Sequence, residues 1–307
     1  MGEARFGVER IRQWVREGGS WSEAAVLYRS NAQSRALEEV LLAEQVPYRV
    51  YGGMRFFERA EIKDTLAYLR LVANRGDDAA FERTVNTPVR GIGDRTLDEV
   101  RRRARERSVS LWQAASALVA ENALAARARN AVAGFLSLIE ALDAETTDLA
   151  LKDRVDHVLA RSGLREHWSS EARGQLDAES RLENLDELVS VASRFSRAEL
   201  DEDQQSMSEL VAFLSYAALE AGEGQAQADE DGVQLMTLHS AKGLEFPLVL
   251  LVGVEEGVFP SSKSLEESGR LEEERRLAYV GITRARHKLV LTWAESRRIH
   301  GMDMYGM

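Results

Sequence analysis

No cysteine occurs among the 307 residues, which excludes a disulfide framework and thiolate metal sites and fits a reducing cytoplasm. The five histidines are scattered without ligand spacing, so no metal centre is expected. No uncharged apolar run is long enough to cross a bilayer. The opening Met1-Gly2-Glu3-Ala4-Arg5 lacks the charged-then-apolar order of a signal peptide, and a soluble protein with no membrane partner is expected. Positive charge is in deficit: 40 Lys and Arg face 51 Asp and Glu, a formal net charge of -11. That excludes a surface that binds nucleic acid everywhere and confines any such contact to local basic or backbone-donor sites. Internal repeats and low-complexity tracts are lacking too.

What is present is a change of rhythm along a chain long enough for two domains. Phe6, Val8, Ile11, Trp14 and Val15 recur at helical spacing and predict an amphipathic helix from Arg5 to Glu17, stopped by Gly18-Gly19. Ala24-Ala25-Val26-Leu27-Tyr28 reads as a buried strand, Ser34 to Glu44 as a helix, and Tyr48-Arg49-Val50-Tyr51 as a second strand ended by Gly52-Gly53. From about Ala60 to about Gly222 nearly every window is helical and rich in Ala, Leu, Arg and Glu. Beyond Asp231, Val233 to Leu238 and Leu248 to Val252 read as strands, Leu271 to Arg286 as a helix, and Lys288 to Trp293 as a strand. Strand and helix alternation on both sides of a helical block predicts one parallel-sheet domain interrupted by an all-α domain.

Two segments carry candidate chemistry. Thr237-Leu238-His239-Ser240-Ala241-Lys242-Gly243-Leu244-Glu245-Phe246 begins where a buried strand ends, the place where open α/β sheets bind ligands. In it Gly243 permits close backbone approach, Lys242 is a cation, and Glu245 can accept from a sugar hydroxyl. An ordinary polar loop closed by a glycine accounts for the same residues. In Glu272 to Ala285, early acids and later arginines suit the helix dipole, which explains most of the charge. It leaves Thr283-Arg284 unexplained, and an arginine there could reach a phosphate. Gly91-Ile92-Gly93 ahead of Asp94-Arg95-Thr96 is a glycine turn opening a helix, whose backbone donors could hold a phosphate without reading sequence. A plain interhelical turn is the alternative. Arg101, Arg102, Arg103, Arg105 and Arg107 circle more than one helix face, as solvated surface does. Trp14, Trp112, Trp168, Trp293, His157, His167 and His287 show no pattern beyond packing or surface roles.

Thr237 to Phe246 and Glu273 to Ala285 resemble motifs V and VI of superfamily-one helicases of the UvrD, PcrA and Rep group, nearest to its UvrD branch. The resemblance continues through Tyr28-Arg29-Ser30-Asn31-Ala32-Gln33-Ser34-Arg35, Gly52-Gly53-Met54-Arg55-Phe56-Phe57 and Arg90-Gly91-Ile92-Gly93, and it spans essentially the whole chain. It implies an α/β fold: a RecA-like, P-loop-NTPase-type parallel-sheet domain (2A) at residues 1–60 and 229–307, interrupted by an all-α domain (2B) at 61–228. By the same resemblance Arg284 is the motif VI arginine that contacts the ATP γ-phosphate, and Glu245, beside Gly243, holds the ribose. Thr237, His239 and Lys242 would line a single-stranded DNA path with Arg29 and Asn31, with Arg55 and Phe56 near it. His300 occupies the place of an aromatic residue that stacks on a base in relatives. Domain 2B would grip duplex DNA through Arg90, Gly91, Gly93 and Thr96.

The implied parent is a bacterial, cytoplasmic, ATP-dependent 3′ to 5′ DNA helicase of DNA repair. Its partners would be single-stranded and duplex DNA, its own N-terminal RecA-like domain, and MutL-like and UvrB-like repair proteins. G-x-x-x-x-G-K-[ST] is absent from the sequence, so ATP and Mg²⁺ would be held mainly by a first motor domain outside this chain. The chain by itself is then expected to hydrolyse no ATP. The ends at Met1-Gly2 and Tyr305-Gly306-Met307 read as chosen boundaries of such a piece. Two other classes stay open: a non-motor module that binds DNA or repair proteins on a helicase-derived fold, and a relative of the RecB and AddA helicase-nucleases. No nuclease-like carboxylate cluster supports the latter.

Overall fold

Helix α1 (Gly2–Arg16) leads into strand β1 (Ala24–Tyr28), five apolar residues that are all buried. A run without alternation is what a strand covered on both faces requires. Helix α2 (Ser34–Ala43) and strand β2 (Tyr48–Val50) follow. The structure is a computed structural model that describes residues 2–51, 56–171, 174–195, 207–222, 231–261, 264, 270–299 and 302–305. Phe56 and Phe57 re-enter the core after β2, their rings edge-on at 5.1 Å. The buried Glu38 carboxylate accepts from the Phe56 amide and from Ser34 Oγ. Phe56, expected near a DNA path, is only 1% exposed and packs into the core of its unit.

Contacts divide the chain into two compact units, Met1–Glu58 with Leu219–Met307, and Arg59–Ala218. The second unit is helical: α3 (Ala60–Ala73), α4 (Asp78–Thr84), α5 (Asp94–Arg107), α6 (Leu111–Ala120), α7 (Ala126–Thr146), α8 (Leu151–Ser162), α9 (Leu164–Ser170), α10 (Gln175–Arg194) and most of α11 (Glu209–Gly222). Helix α3 is buried on nearly every side, so each polar group on it needs an internal partner. Glu61 accepts from Asn184 Nδ2 at 2.6 Å, and Asn184 Oδ1 accepts from Arg59 at 2.8 Å. Asp64 pairs with Arg83 at 2.7 Å; burial pushes its carboxyl pKa up, against the opposing pull of Arg83. Tyr68 Oη accepts from Arg90, whose guanidinium also donates to the carbonyls of Thr84, Pro88 and Ser162 at 3.0–3.1 Å. Arg90 lies over the Tyr68 and Phe135 rings as well. The guanidinium expected to meet a phosphate is thus turned onto internal acceptors of its own unit.

The chain returns to the sheet with β3 (Val233–Thr237) and β4 (Phe246–Leu251), continues through α12 (Arg270–Ile282) into β5 (Ala285–Leu291), and ends on an antiparallel pair, β6 (Ser296–Ile299) and β7 (Met302–Tyr305). The main sheet has the order β2-β3-β1-β4-β5 with every pair parallel. Ala24, Val26 and Tyr28 join α1 and α2 in one apolar layer, while Ala25 and Leu27 join Leu277 of α12 and Phe259 in the other. Glu3 ties α1 to the far ends of two strands, accepting from Gly253 N at 2.8 Å and Thr292 Oγ1 at 2.6 Å. Helix α12 stops at Ile282, short of the expected Arg286: Thr283 N still bonds the Tyr279 carbonyl, but Arg284 N reaches only three residues back to Gly281. The Arg284 carbonyl then accepts from Phe246 N at 2.9 Å and opens β5. At Gly281 helix and sheet touch closely: a Cβ there would lie 2.5 Å from Leu238 Cδ2 and 3.4 Å from Leu251 Cδ2.

Two stability measurements follow from this packing. Gly281→Ala is expected to lower unfolding free energy by about 1–3 kcal/mol through overpacking, opposite in sign to the gain of roughly 1 kcal/mol at an open helical site. A raised urea midpoint would show that the contact at Leu238 is loose. Arg90→Met should cost about 3 kcal/mol by stranding buried carbonyls, whereas Arg95→Met, at an exposed arginine with no ion pair among the described residues, should stay within about 0.5 kcal/mol. Equal melting curves for the two variants would contradict the inward role of Arg90.

Candidate functional site

All main-sheet strands run one way, so their carboxyl ends form one edge and their amino ends the opposite edge. At the carboxyl edge Tyr28 of β1 stands beside Thr237 of β3, which brings Arg29 and Asn31 next to the turn that carries His239. Gln33 shapes this corner: its Oε1 accepts from the Arg29 and Ser30 amides at 3.0 and 2.9 Å. The Asn31 carbonyl accepts from Ser34 Oγ at 2.9 Å and starts α2. Thr237 Oγ1 accepts from Ser240 N at 3.2 Å, so the hydroxyl holds its own turn. Arg29 is bound to Glu274 of α12, through Nε at 2.9 and 3.2 Å and Nη2 at 2.8 Å. Desolvation first, and then the positive charge of Arg29, hold the His239 imidazole below its ordinary value, against the opposing pull of Glu273 and Glu274. At neutral pH His239 is therefore an uncharged donor and acceptor.

The segment Leu238–Glu245 crosses to the other edge. The Lys242 side chain stands exposed on it with no ion pair among the described residues, and Gly243 takes φ +87, a conformation that suits glycine. At the amino edge Arg284 is fixed by three neutral acceptors: Nε to the Val280 carbonyl at 2.9 Å, Nη1 to the Leu244 carbonyl at 2.8 Å, and Nη2 to Thr283 Oγ1 at 3.0 Å. Two of its five N–H groups remain undirected, and no carboxylate cancels its charge within this set. Among the described residues Glu245, next to Leu244, pairs with Arg286, at 3.3 Å with side chains 55% and 60% exposed. Such a pair in solvent yields readily to another partner. A register shift between Phe246↔Ala285 and Leu248↔Lys288 marks a bulge beside this group.

The sequence-derived site residues thus fall into separate groups. Arg29, Asn31, Thr237 and His239 gather at the carboxyl edge, Glu245 and Arg284 at the amino edge, with Lys242 and Gly243 on the crossing between them. Gly91, Gly93 and Thr96 belong to the helical unit. There Asn86 Oδ1 accepts from the Arg90 and Ile92 amides at 2.8 and 3.2 Å, Ile92 is buried, and Gly91, at φ +78, and Gly93 are exposed around it. Thr96 N closes the first turn of α5 on the Gly93 carbonyl at 2.9 Å. Arg101, Arg102, Arg103 and Arg107 are paired with Glu82, Asp98, Glu99, Glu106 and Glu121. Arg55 and His300 lie outside the described residues.

Two residues escaped the sequence reading. Glu274 sits three residues before Leu277 and seven before Gly281, on the buried face of α12, and a carboxylate on an apolar face is the signal that could have exposed it. Gln33 follows Ser30 at capping-box spacing, which marks a residue that holds backbone amides.

A family described as the UvrD-like helicase C-terminal domain matches residues 1–296. Over 305 residues the chain is 61% identical to DNA helicase II of Escherichia coli strain K12, covering 99% of this chain and 42% of that protein. It is 55% identical to DNA helicase II of Haemophilus influenzae over 99% of this chain and 41% of that protein. Against the ATP-dependent DNA helicase PcrA of Bacillus subtilis the identity is 44% over 98% of this chain and 40% of that protein. The chain thus spans about two fifths of the length of these relatives. With a family match that runs through both sheet segments and the helical unit between them, the chain belongs to the UvrD-like helicase C-terminal domain family.

Proposed function

We propose that this chain is the second motor domain (2A), with its inserted helical domain (2B), of an ATP-dependent DNA helicase that moves 3′ to 5′ on single-stranded DNA. The observation that carries this reading is the amino-edge pair. Arg284 is oriented by neutral acceptors with its charge intact, beside a carboxylate free to exchange partners. A fixed, always-ionised guanidinium suits charge developing on a transferring phosphoryl group, and an exposed carboxylate suits ribose hydroxyls. These residues fit the terminal-phosphate and sugar ends of a nucleotide. ATP supplies the phosphoryl chemistry when bound. A phosphate cradle and the Mg²⁺ site would come mainly from a first motor domain, and Glu245, Gly243 and Arg284 would complete the pocket. A pure binding module has no use for an arginine held in this way, so the motor reading is preferred over it.

In this reading Arg29, Asn31, Thr237, His239 and Lys242 face single-stranded DNA, while the Gly91 to Thr96 turn holds duplex phosphates through exposed backbone donors. The neutral His239 would contribute hydrogen bonds, leaving Arg29 and Lys242 as the cations of the track. With a net charge of -11 the chain repels DNA overall, so binding depends on these local sites and falls steeply with salt. The parent would work in the bacterial cytoplasm in DNA repair, and MutL-like and UvrB-like proteins would be its partners.

Mixing this chain with a separately prepared first motor domain is expected to produce ATPase activity stimulated by single-stranded DNA, with none from this chain alone. Arg284→Ala should lower that activity by about 10³-fold or more. Turnover by this chain alone that survives Arg284→Ala would overturn the reading. In the helical unit Gly93→Glu meets no atom within 4 Å of the new Cβ, so melting should be unchanged. Its carboxylate at the turn should weaken binding to a duplex junction in low salt by about tenfold, and unchanged binding would remove this turn from the DNA surface.

A further inference from the structure

The Arg29–Glu274 pair is a largely buried ion pair at the carboxyl edge of the sheet. The two side chains are 16% and 4% exposed, and Glu274 accepts from Arg29 Nε and Nη2 and from Ser264 Oγ at 3.0 Å. Both partners belong to the same unit, one at the exit of β1 and the other near the start of α12. Nε and Nη2 make all of the guanidinium's hydrogen bonds among the described residues, which leaves Nη1 as the unengaged corner. An arginine gripped from one side by a buried carboxylate cannot swing, and its remaining donors are aimed before any ligand arrives.

We infer that Glu274 is a positioning residue for nucleic acid, locking Arg29 so that its outer amino group meets a backbone phosphate at the carboxyl edge. This inference rests on the DNA-binding reading of that edge. It opposes the simplest electrostatic expectation. A carboxylate next to a phosphate track should repel DNA, and its removal should tighten binding. A carboxylate that aims the arginine does the reverse: without it the guanidinium gains rotamers, loses its fixed corner and must be ordered again on binding. The neighbouring Glu273 carries the same charge one residue away but is exposed and makes no ion pair among the described residues. It separates charge from position.

The test is fluorescence anisotropy of this chain with a labelled oligothymidylate in low salt, with thermal melts to confirm folding. Glu274→Gln is expected to weaken binding by about tenfold, the loss of one well-aimed charge-assisted contact, although the chain becomes less negative. Glu273→Gln, with the same charge change, should leave binding equal or tighter. Glu274→Asp keeps the charge and shortens the reach, and should also weaken binding; it decides the matter if Glu274→Gln fails to fold. In an Arg29→Met background the Glu274 substitutions should have no further effect. Equal or tighter binding by Glu274→Gln, or the same loss with and without Arg29, overturns the inference while leaving DNA binding intact. If the unaltered chain shows no salt-sensitive binding at all, the DNA reading of this edge fails, and the inference fails with it.

Discussion

The fold depends on where β1 finds its partners. Its residues Ala24–Tyr28 pair with β3 on one side and β4 on the other, and both arrive only after residue 231. Until they do, five apolar residues have no ladder and no second layer. The helical unit lies within this closure, and its length is tolerable because loop-closure entropy grows only logarithmically, by about 0.6 kcal/mol per doubling of the intervening chain. The unit also repays its own ordering: α3 is buried around its circumference, and Glu61, Asp64, Thr65 and Tyr68 all find partners inside it.

Parallel pairing has a second effect. Each return from the carboxyl to the amino edge needs a crossing, and both crossings between β3 and β5 carry candidate site residues. Leu238–Glu245 runs from the turn of His239 to Glu245, and α12 runs from Glu274 to the approach of Arg284. Groups at opposite edges are therefore neighbours in sequence. The two arginines are held by contrasting means. Arg29 is held by a buried carboxylate, while Arg284 is oriented by two carbonyls and a hydroxyl with no carboxylate in its set. An arginine that answers charge developing in a reaction needs the second kind of support.

Much of this was legible in the sequence because burial on both faces imposes continuous apolar runs. β1 appears in the sequence with its observed bounds, and the helical block stands out by its lack of β-branched clusters. Helix ends were less legible: α12 stops at Ile282 because the chain is drawn into β5, where the Arg284 carbonyl pairs with Phe246 N, and no periodicity records that. Side-chain destinations were least legible. Arg90 beside a glycine turn reads as a phosphate ligand, yet it is consumed by internal carbonyls, and Phe56 in a motif reads as a contact yet packs on Phe57. Both choices are made by tertiary partners distant in sequence. The β6 and β7 pair had no strong apolar signature to announce it.

The place of β1 also bears on how the sheet carries force. A pull applied just beyond Tyr28, along the strand, is resisted by two ladders of hydrogen bonds loaded side by side, so they must yield together. The edge strand β5 has a ladder on one side only, interrupted by a bulge near its start, and could be peeled bond by bond. The strands paired on both sides therefore resist a pull better than the edge strand β5 does.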